Sequence, residues 1–187
     1  MMVPLRRYYH YCIYFQKIVF LTHKKRFYQQ SKFFMKHLVF ICSANICRSS
    51  ACEVLLRGIL QQRKMNDITV CSAGTDDIGQ QPRDGIMTRI AMEHGYTIDG
   101  LSQQMTCSLL EQSDLIIVMT YQHKSKVEAM LPYEYWGRIH LFMDYCFGKD
   151  ISLDDPSHMP EHVYRKTFDI LFKGCKIIAD KLGKEYL

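Results

Sequence analysis

A cysteine and an arginine six residues apart could bind and attack a phosphate group. Cys42 follows the apolar residues 38–41, whose β-branched and aromatic side chains predict a buried strand, and Arg48 stands where a helical pattern begins. We therefore expect Cys42 at the carboxyl end of a strand, followed by a tight loop and a helix N-terminus. Unpaired amides and the helix dipole make such a position favourable for an anion.

The same electrostatic field favours a thiolate, so Cys42 is a candidate nucleophile. Arg48 offers a planar, permanently charged fork that can hold two phosphoryl oxygens at once. On spacing alone, a buried core cysteine and a solvated arginine would be the preferred interpretation, because this spacing also occurs by chance. The residues around the pair decide between these interpretations.

Residues 39–49, Val-Phe-Ile-Cys-Ser-Ala-Asn-Ile-Cys-Arg-Ser, closely resemble the signature of the low-molecular-weight protein tyrosine phosphatases. The resemblance implies that Cys42 is the nucleophile and that Ser49 donates a hydrogen bond to its sulfur. It also implies that Ser72, in the Ser-Ala-Gly-Thr stretch, supports Asn45. The expected phosphate-binding loop consists of Ser43, Ala44, Asn45, Ile46, Cys47 and Arg48. The family usually has proline where Ser50 stands. Because proline suits the first turn of a helix, its replacement by serine could loosen the rear of this loop.

A second chemical element is the Asp154-Asp155-Pro156 stretch, because an oxyanion leaves phosphorus poorly unless an acid protonates it. Family members place this acid directly before a proline, so Asp155 is the candidate and Asp154 the alternative. Proline restricts the preceding residue to extended backbone and so helps to aim its side chain.

The expected substrate cleft departs from the family pattern. Ser157 and His158 stand where aromatic residues usually follow the proline, and Ile78 is a poor substitute for the usual aromatic wall. We expect weaker binding of small aryl phosphates, with His158 either a partial stacking surface or a solvated loop residue.

Cys47 is a candidate redox residue, because relatives with this pair of cysteines form a reversible disulfide that protects the nucleophile. The alternative is a thiol that only lines the loop.

The order of predicted elements indicates an α/β fold: a doubly wound, four-stranded parallel sheet flanked by helices on both faces. Strands are predicted near residues 38–41, 68–72, 114–119 and 138–142, and helices at 50–64, 83–94, 106–112, from 120 onward, and at 163–182. The site should lie at the carboxyl ends of the strands. The resemblance covers residues 37 to about 182.

Charge separates the chain into two parts. Residues 1–34 contain seven of the 24 basic side chains and no acidic one, which leaves 17 basic against 19 acidic residues in the remainder. Because the basicity belongs to this segment, we expect no nucleic-acid binding by the domain. We predict an N-terminal extension at 1–34, disordered or not native, since Met35 could be the natural start, and a phosphatase domain at 35–187.

The remaining expectations concern the cellular compartment, metals and cofactors, membrane contact and oligomeric state. The eight cysteines are scattered and lack metal-ligand spacing, so we expect a reducing compartment, no metal and no cofactor. Residues 1–34 are too interrupted to span a membrane, although their basic and aromatic residues would allow weak contact with a membrane surface. We expect a monomer in the cytoplasm, with export into a host cell left open.

The predicted function is hydrolysis of phosphotyrosine in a protein partner through a phosphocysteine intermediate. A protein arginine phosphatase is suggested by Met-Thr-x-x-His-Lys at residues 119–124, but Ile46 stands where that branch has threonine. A thioredoxin-linked arsenate reductase needs two more cysteines close together, and Cys107 and Cys146 are far apart. A phosphate-dependent binding module is the non-enzymatic alternative. His123 is predicted to be a surface residue of a helix.

Overall fold

The computed structural model describes residues 36–185, and the predictions for residues 1–34 lie outside this range. Its strands are β1 (Lys36–Cys42), β2 (Ile68–Gly74), β3 (Leu115–Val118) and β4 (Ile139–Leu141). Its α-helices are α1 (Arg48–Gln62), α2 (Gly85–Glu93), α3 (Cys107–Glu111), α4 (Tyr121–Met130), α5 (Phe142–Phe147) and α6 (Glu161–Glu185). A 3₁₀-helix, Tyr133–Arg138, precedes β4.

The four strands form one parallel sheet in the order β2-β1-β3-β4. In its register Leu38 of β1 lies between Val70 of β2 and Leu115 of β3. Since the chain proceeds from β1 to one neighbour and later returns to the other side, the order reverses between β1 and β3. Ligands bind at the carboxyl ends of strands beside such a reversal. Cys42 is the last residue of β1, at this edge.

Alternate residues of β1 enter two separate apolar layers. Leu38 and Phe40 belong to the layer beneath α1 and α6, and Val39 and Ile41 belong to the layer beneath α3 and α4. This follows from the two-residue period of a strand, which directs successive side chains to opposite faces. The predicted α/β sheet with helices on both faces is confirmed.

The largest error in the predicted elements lies at residues 138–142. The strand spans only Ile139–Leu141, and Phe142 instead begins α5, which the sequence analysis did not predict. A short apolar run is compatible with either structure when its flanks are ambiguous. Here Phe142, Met143 and Cys146 are buried on one helical face, and Gly148 ends the helix at a φ of 64°.

Three features of residues 36–185 concern their cysteines, their possible metal ligands and the apolar character of their helices. The seven cysteines there are free, and no cluster of three or more histidine, cysteine, aspartate or glutamate side chains is arranged to hold a metal ion. None of the helices in this range has both the length and the apolar character needed to cross a bilayer.

Candidate active site

The loop from Cys42 to Arg48 connects β1 to α1 and is bound to its neighbours through its carbonyl oxygens. The carbonyls of Cys42, Ser43 and Ile46 accept from the amides of Thr75, Asp76 and Asp84 at 2.9, 3.0 and 2.8 Å. In a planar trans peptide the next amide points away from its carbonyl. The amides that follow these three carbonyls, those of residues 43, 44 and 47, therefore point away from the anchoring segments.

Asn45 holds the strained part of this loop. It has a φ of 57°, in the left-handed region, and its side chain is fully buried. Its amide nitrogen donates to Ser49 Oγ and Ser72 Oγ at 2.9 and 2.8 Å. Its Oδ1 accepts from the Gln103 amide at 3.0 Å and from Arg83 Nη1 at 2.8 Å. Four hydrogen bonds thus fix the conformation that the loop requires.

Three residues of this supporting network were missed in the sequence. Arg83 and Gln103 bind Asn45 directly, and Glu53 Oε2 accepts from Ser72 Oγ at 2.5 Å. Glu53 lies four residues after Ser49 on α1, and this spacing places both on one helix face. That spacing could have identified Glu53, whereas Arg83 and Gln103 reach Asn45 only through the tertiary fold.

Cys42 and Ser49 meet at the start of α1. Cys42 Sγ lies 2.9 Å from Ser49 Oγ, and both residues are buried. Since Ser49 Oγ already accepts from Asn45, its own hydrogen is available to the sulfur; the other acceptor in reach, Ala73 O, is 3.5 Å away. The arrangement can stabilise negative charge on sulfur.

Arg48 is a buried cation, with a relative exposure of 2%. Its Nη1 donates to the Leu153 carbonyl at 2.8 Å, and its Nη2 contacts Asp155 Oδ2. Its Nε is buried and has no hydrogen-bond partner within the described residues. A buried guanidinium with an unused N–H is equipped to bind an anion.

Asp155 approaches Arg48 from a loop 107 residues away in sequence. Its side chain is 40% exposed, so it faces both the guanidinium and solvent. Ser157 donates to Asp155 Oδ1 from its amide at 3.1 Å and from its hydroxyl at 2.8 Å. Ser157, which replaces a usual aromatic residue, therefore orients the carboxylate, with Oδ2 toward Arg48. Its neighbour His158 is exposed and has a φ of 65°.

The prediction that His123 is a surface residue is wrong. It has an exposure of 4%, and its Nε2 lies 2.9 Å from Ser43 Oγ. Burial, reinforced by the positive charge of Arg48, lowers its pKa to about 4, so the imidazole is neutral at pH 7. The cause of the error is topological: α4 begins just beyond β3, whose carboxyl end adjoins that of β1.

Cys47 is also buried within the loop. Burial raises the pKa of its thiol far above the ordinary value, and the negative charges of Asp84 and Asp155 raise it further. Cys47 is therefore a protonated thiol at neutral pH and does not compete with Cys42 as a nucleophile.

Two isoleucines border the loop on different sides. Ile46 is half-buried and packs against the apolar layer beneath α1 and α6. Ile78 is exposed and lines, together with Ala44, a pocket of about 240 Å³ beside the loop. Ile78 thus borders the phosphate loop, where the sequence analysis expected a cleft wall.

Comparison with known proteins identifies the family of this chain. The family model for low molecular weight phosphotyrosine protein phosphatase matches residues 37–186. The low molecular weight protein-tyrosine-phosphatase Etp of Escherichia coli K12 is 27% identical over 148 residues, which cover 79% of this chain and 95% of that protein. The protein-arginine-phosphatase of Bacillus subtilis is 26% identical, with 79% and 97% of the two chains covered.

A solved structure extends the similarity to three dimensions. The crystal structure of a protein tyrosine phosphatase from Entamoeba histolytica superposes with a TM-score of 0.75 at 26% identity, covering 81% of this chain and 99% of that one. The family match includes the phosphate loop, the Asp155 loop and all of β1 but its first residue. The chain belongs to the low molecular weight phosphotyrosine protein phosphatase family and is a phosphatase.

Proposed function

We propose that the protein hydrolyses phosphotyrosine in proteins through a phosphocysteine intermediate on Cys42. The observation that supports this most directly is the buried Arg48 guanidinium, with an unused Nε, in the loop that begins at Cys42. A charge with an unpaired donor is costly to bury unless it has a ligand to bind. A phosphoryl dianion matches both the charge and the forked geometry.

Substrate binding places the phosphoryl oxygens on Arg48 and on the amides of residues 43–48. The phosphoryl group then takes over the position on Arg48 Nη2 that Asp155 Oδ2 holds in the structure. Asp155 remains attached to Ser157 through Oδ1, so its Oδ2 becomes available to the leaving oxygen. Binding of the phosphoryl group to Arg48 is thereby linked to the positioning of Asp155 as the general acid.

In the first chemical step the Cys42 thiolate attacks phosphorus while the bond to the tyrosyl oxygen breaks. Asp155 gives its proton to that oxygen, and the dephosphorylated tyrosyl side chain of the protein substrate leaves. Arg48 and the loop amides stabilise the equatorial oxygens throughout. The products are phosphocysteine and an Asp155 carboxylate.

In the second step water attacks the phosphocysteine and Asp155 accepts a proton from it. The sulfur–phosphorus bond breaks, releasing inorganic phosphate and restoring the thiolate. Ser49 lies 2.9 Å from the sulfur and donates to it as negative charge returns. The cycle uses no metal and regenerates each residue.

A protein arginine phosphatase is the second candidate, supported by the 26% identity to the Bacillus subtilis protein-arginine-phosphatase. Ile46 argues for phosphotyrosine, because the sequence resemblance places threonine there in the arginine branch. An apolar side chain offers no hydrogen bond to a guanidinium.

The decisive experiment measures turnover of a phosphotyrosine peptide, a phosphoarginine peptide and arsenate. Cys42→Ser should abolish hydrolysis, and Asp155→Asn should lower kcat by roughly 100-fold or more, the usual scale of general acid catalysis. Cys107→Ser replaces an exposed cysteine and is the matched control for Cys42→Ser, so it should retain the wild-type rate. Asp154→Asn tests the alternative acid, and it should also retain the wild-type rate because Asp155, not the exposed Asp154, contacts Arg48.

Each alternative function predicts a different result in this turnover experiment. Preferred hydrolysis of phosphoarginine would support the second candidate, and thioredoxin-dependent arsenate reduction would indicate the reductase. Tight binding of phosphopeptide by the wild-type protein, with no turnover, would indicate a binding module. Full activity of Cys42→Ser would refute the proposed mechanism.

We also propose that Cys47 protects Cys42 under oxidation. Peroxide converts the Cys42 thiolate to a sulfenic acid, and the Cys47 thiol then displaces water to form a Cys42–Cys47 disulfide. Because Cys47 is buried and protonated, this second step should be slow near neutral pH. Mass spectrometry after mild peroxide should show the disulfide; sulfinic acid on Cys42 with no such link would contradict the proposal.

A further inference from the structure

The loop that carries Asp155 is fixed on one side of this residue and ends in a turn on the other. Before Asp155, the Leu153 carbonyl accepts from Arg48 Nη1 at 2.8 Å. After Asp155, the Met159 amide donates to the Pro156 carbonyl at 2.9 Å and closes a four-residue turn. Arg48 thus holds the first side directly, whereas the turn must be held by something else.

This turn contains the residue that orients the proposed acid. Ser157, its second residue, donates to Asp155 Oδ1 from both its amide and its hydroxyl. His158, its third residue, has a φ of 65°, and turns with a positive φ at this position usually carry glycine or asparagine there. A strained residue persists only where the surrounding structure fixes it. A displaced turn would carry Ser157 with it, so Asp155 depends on whatever fixes His158.

The hydroxyl of Tyr164, in the first turn of α6, binds this strained residue. Tyr164 has an exposure of 3%, and its hydroxyl donates to Asp84 Oδ2 at 3.1 Å. The same oxygen accepts a hydrogen bond from the backbone of His158. Burial and the negative charge of Asp84 raise the pKa of Tyr164 to about 12, so the phenol keeps its hydrogen at neutral pH. The hydroxyl therefore connects the turn to Asp84.

Asp84 connects the same hydroxyl to the phosphate loop. Its amide donates to the Ile46 carbonyl at 2.8 Å, and its Oδ1 accepts from the Met87 amide at 2.8 Å as the N-cap of α2. Its Oδ2 remains for Tyr164. Because an ionised carboxylate only accepts, Tyr164 must donate to it, and the phenol oxygen stays open to the backbone of His158. Asp84 is thus bonded both to the loop expected to bind phosphate and, through Tyr164, to the turn that orients Asp155.

We propose that Tyr164 is a positioning residue whose hydroxyl fixes the turn that orients Asp155, the proposed general acid. Tyr164 acts through His158 and Ser157. Without the hydroxyl the strained turn relaxes and Asp155 loses its orientation, whereas the phosphate loop keeps its own backbone hydrogen bonds. Proton transfer to the leaving oxygen should then become slower, and phosphate binding should not change. This inference rests on the proposed phosphatase mechanism and names a further residue on which that mechanism depends.

The test compares two substrates whose leaving oxygens need an acid to different degrees. Tyr164→Phe removes only the hydroxyl and should lower kcat/KM for a phosphotyrosine peptide about 10-fold, the scale of one hydrogen bond. For p-nitrophenyl phosphate kcat/KM should fall less than about threefold, because nitrophenolate leaves with little help from an acid. In an Asp155→Asn background Tyr164→Phe should cause no further loss. Tyr96→Phe is the matched control, since Tyr96 packs by its ring against Phe172 of α6, and it should keep both wild-type rates.

Asp84→Asn tests the same connection without altering Tyr164. Asparagine is also a favourable N-cap, so its oxygen should stay on the Met87 amide and α2 should keep its first turn. The asparagine then turns an N–H toward the Tyr164 hydroxyl, which loses its acceptor. The variant should show the same larger loss for the phosphotyrosine peptide. The inhibition constant for inorganic phosphate should change less than about twofold in Tyr164→Phe and Asp84→Asn, since the amide of residue 84 still binds the Ile46 carbonyl.

Equal losses for the two substrates in Tyr164→Phe and Asp84→Asn would overturn the inference, because damage to the fold or to the phosphate loop affects both substrates alike. Additive losses of Tyr164→Phe and Asp155→Asn, or wild-type hydrolysis of the peptide by Tyr164→Phe, would overturn it as well. In each of these cases the wild-type protein is active and the proposed function stands. If the wild-type protein hydrolyses neither substrate, the proposed function is refuted and the role of Tyr164 fails with it.

Discussion

Gly74, the last residue of β2, lies directly against the phosphate loop. A Cβ atom at this position would sit 2.6 Å from the Ser43 carbonyl oxygen, 2.9 Å from the Ala44 carbonyl carbon and 3.0 Å from the Asn45 nitrogen. All three are backbone atoms, so the loop itself would have to move. We predict that Gly74→Ala lowers kcat/KM at least about 10-fold, because a displacement of about 1 Å at a site can cost 100-fold.

The inhibition constant for inorganic phosphate checks this prediction, since it reports the loop without the chemical step. It should rise in Gly74→Ala together with the loss of activity. Gly85→Ala is the matched control, because a Cβ there meets no atom within 4 Å. Wild-type phosphate affinity in Gly74→Ala would show that the loop accommodates the methyl group.

Residues that are close in sequence made most of the candidate site predictable. The strand before Cys42 and the helix after Arg48 follow from local pattern, and Pro156 marks the Asp155 loop. The partners that hold these residues are distant in sequence: Arg83 lies 38 residues from Asn45, and His123 lies 80 residues from Ser43. Such contacts depend on how the strands are ordered, which no single segment specifies.

Helices α5 and α6 approach each other closely at Gly174 of α6, which has no side chain. A Cβ at Gly174 of α6 would lie 2.2 Å from the ring of Phe142 in α5. Phe142 is fully buried, so its ring has little room to move. We predict that Gly174→Ala destabilises the protein by about 1–3 kcal/mol, the usual effect of overpacking a core. Urea denaturation measures this as a lower midpoint.

The same helix provides the control. A Cβ at Gly183 would have Met65 atoms at 3.9 and 4.0 Å, which is ordinary contact. Gly183→Ala should therefore stabilise the protein by up to about 1 kcal/mol through helix propensity. If Gly174→Ala were as stable as Gly183→Ala, close approach of α5 and α6 would not be the reason for glycine at 174.

The boundary between β4 and α5 shows why elements are harder to predict than motifs. Residues 139–143 are apolar apart from His140, and this pattern suits a strand or a helix. The structure uses both, with β4 beside β3 and α5 beneath α6. Tertiary packing of Phe142 determines where the strand ends and the helix begins. A short window of sequence does not show such packing.

At the scale of the whole chain, we propose that residues 35–187 form the phosphatase domain. The sheet and both apolar layers are built from residues 36–185, and the family match begins at residue 37. A protein that starts at Met35 should keep kcat and KM within about twofold, because truncation is tolerated where the remaining backbone keeps its hydrogen bonds. Lys36 N, for example, donates to Asp67 O at 2.9 Å.

Binding to vesicles with anionic lipid separates the two expectations for residues 1–34. Weaker binding after their removal would support contact with a membrane surface, and equal binding would contradict it. An inactive or aggregated shortened protein would refute the proposed domain boundary.

The pH dependence of stability should reveal the buried histidine. The pKa of His123 falls from about 6.5 in the unfolded chain to about 4 in the folded protein, mainly because of burial. Between these values the unfolded chain binds a proton that the folded protein does not, so the free energy of unfolding must decrease as pH falls from 6.5 to 4. His123→Gln should show a shallower decrease in urea denaturation across this window. His162→Gln, which replaces an exposed histidine of α6, should keep the wild-type slope. Equal slopes for His123→Gln and the wild type would mean that His123 is protonated as readily in the folded protein as in the unfolded chain.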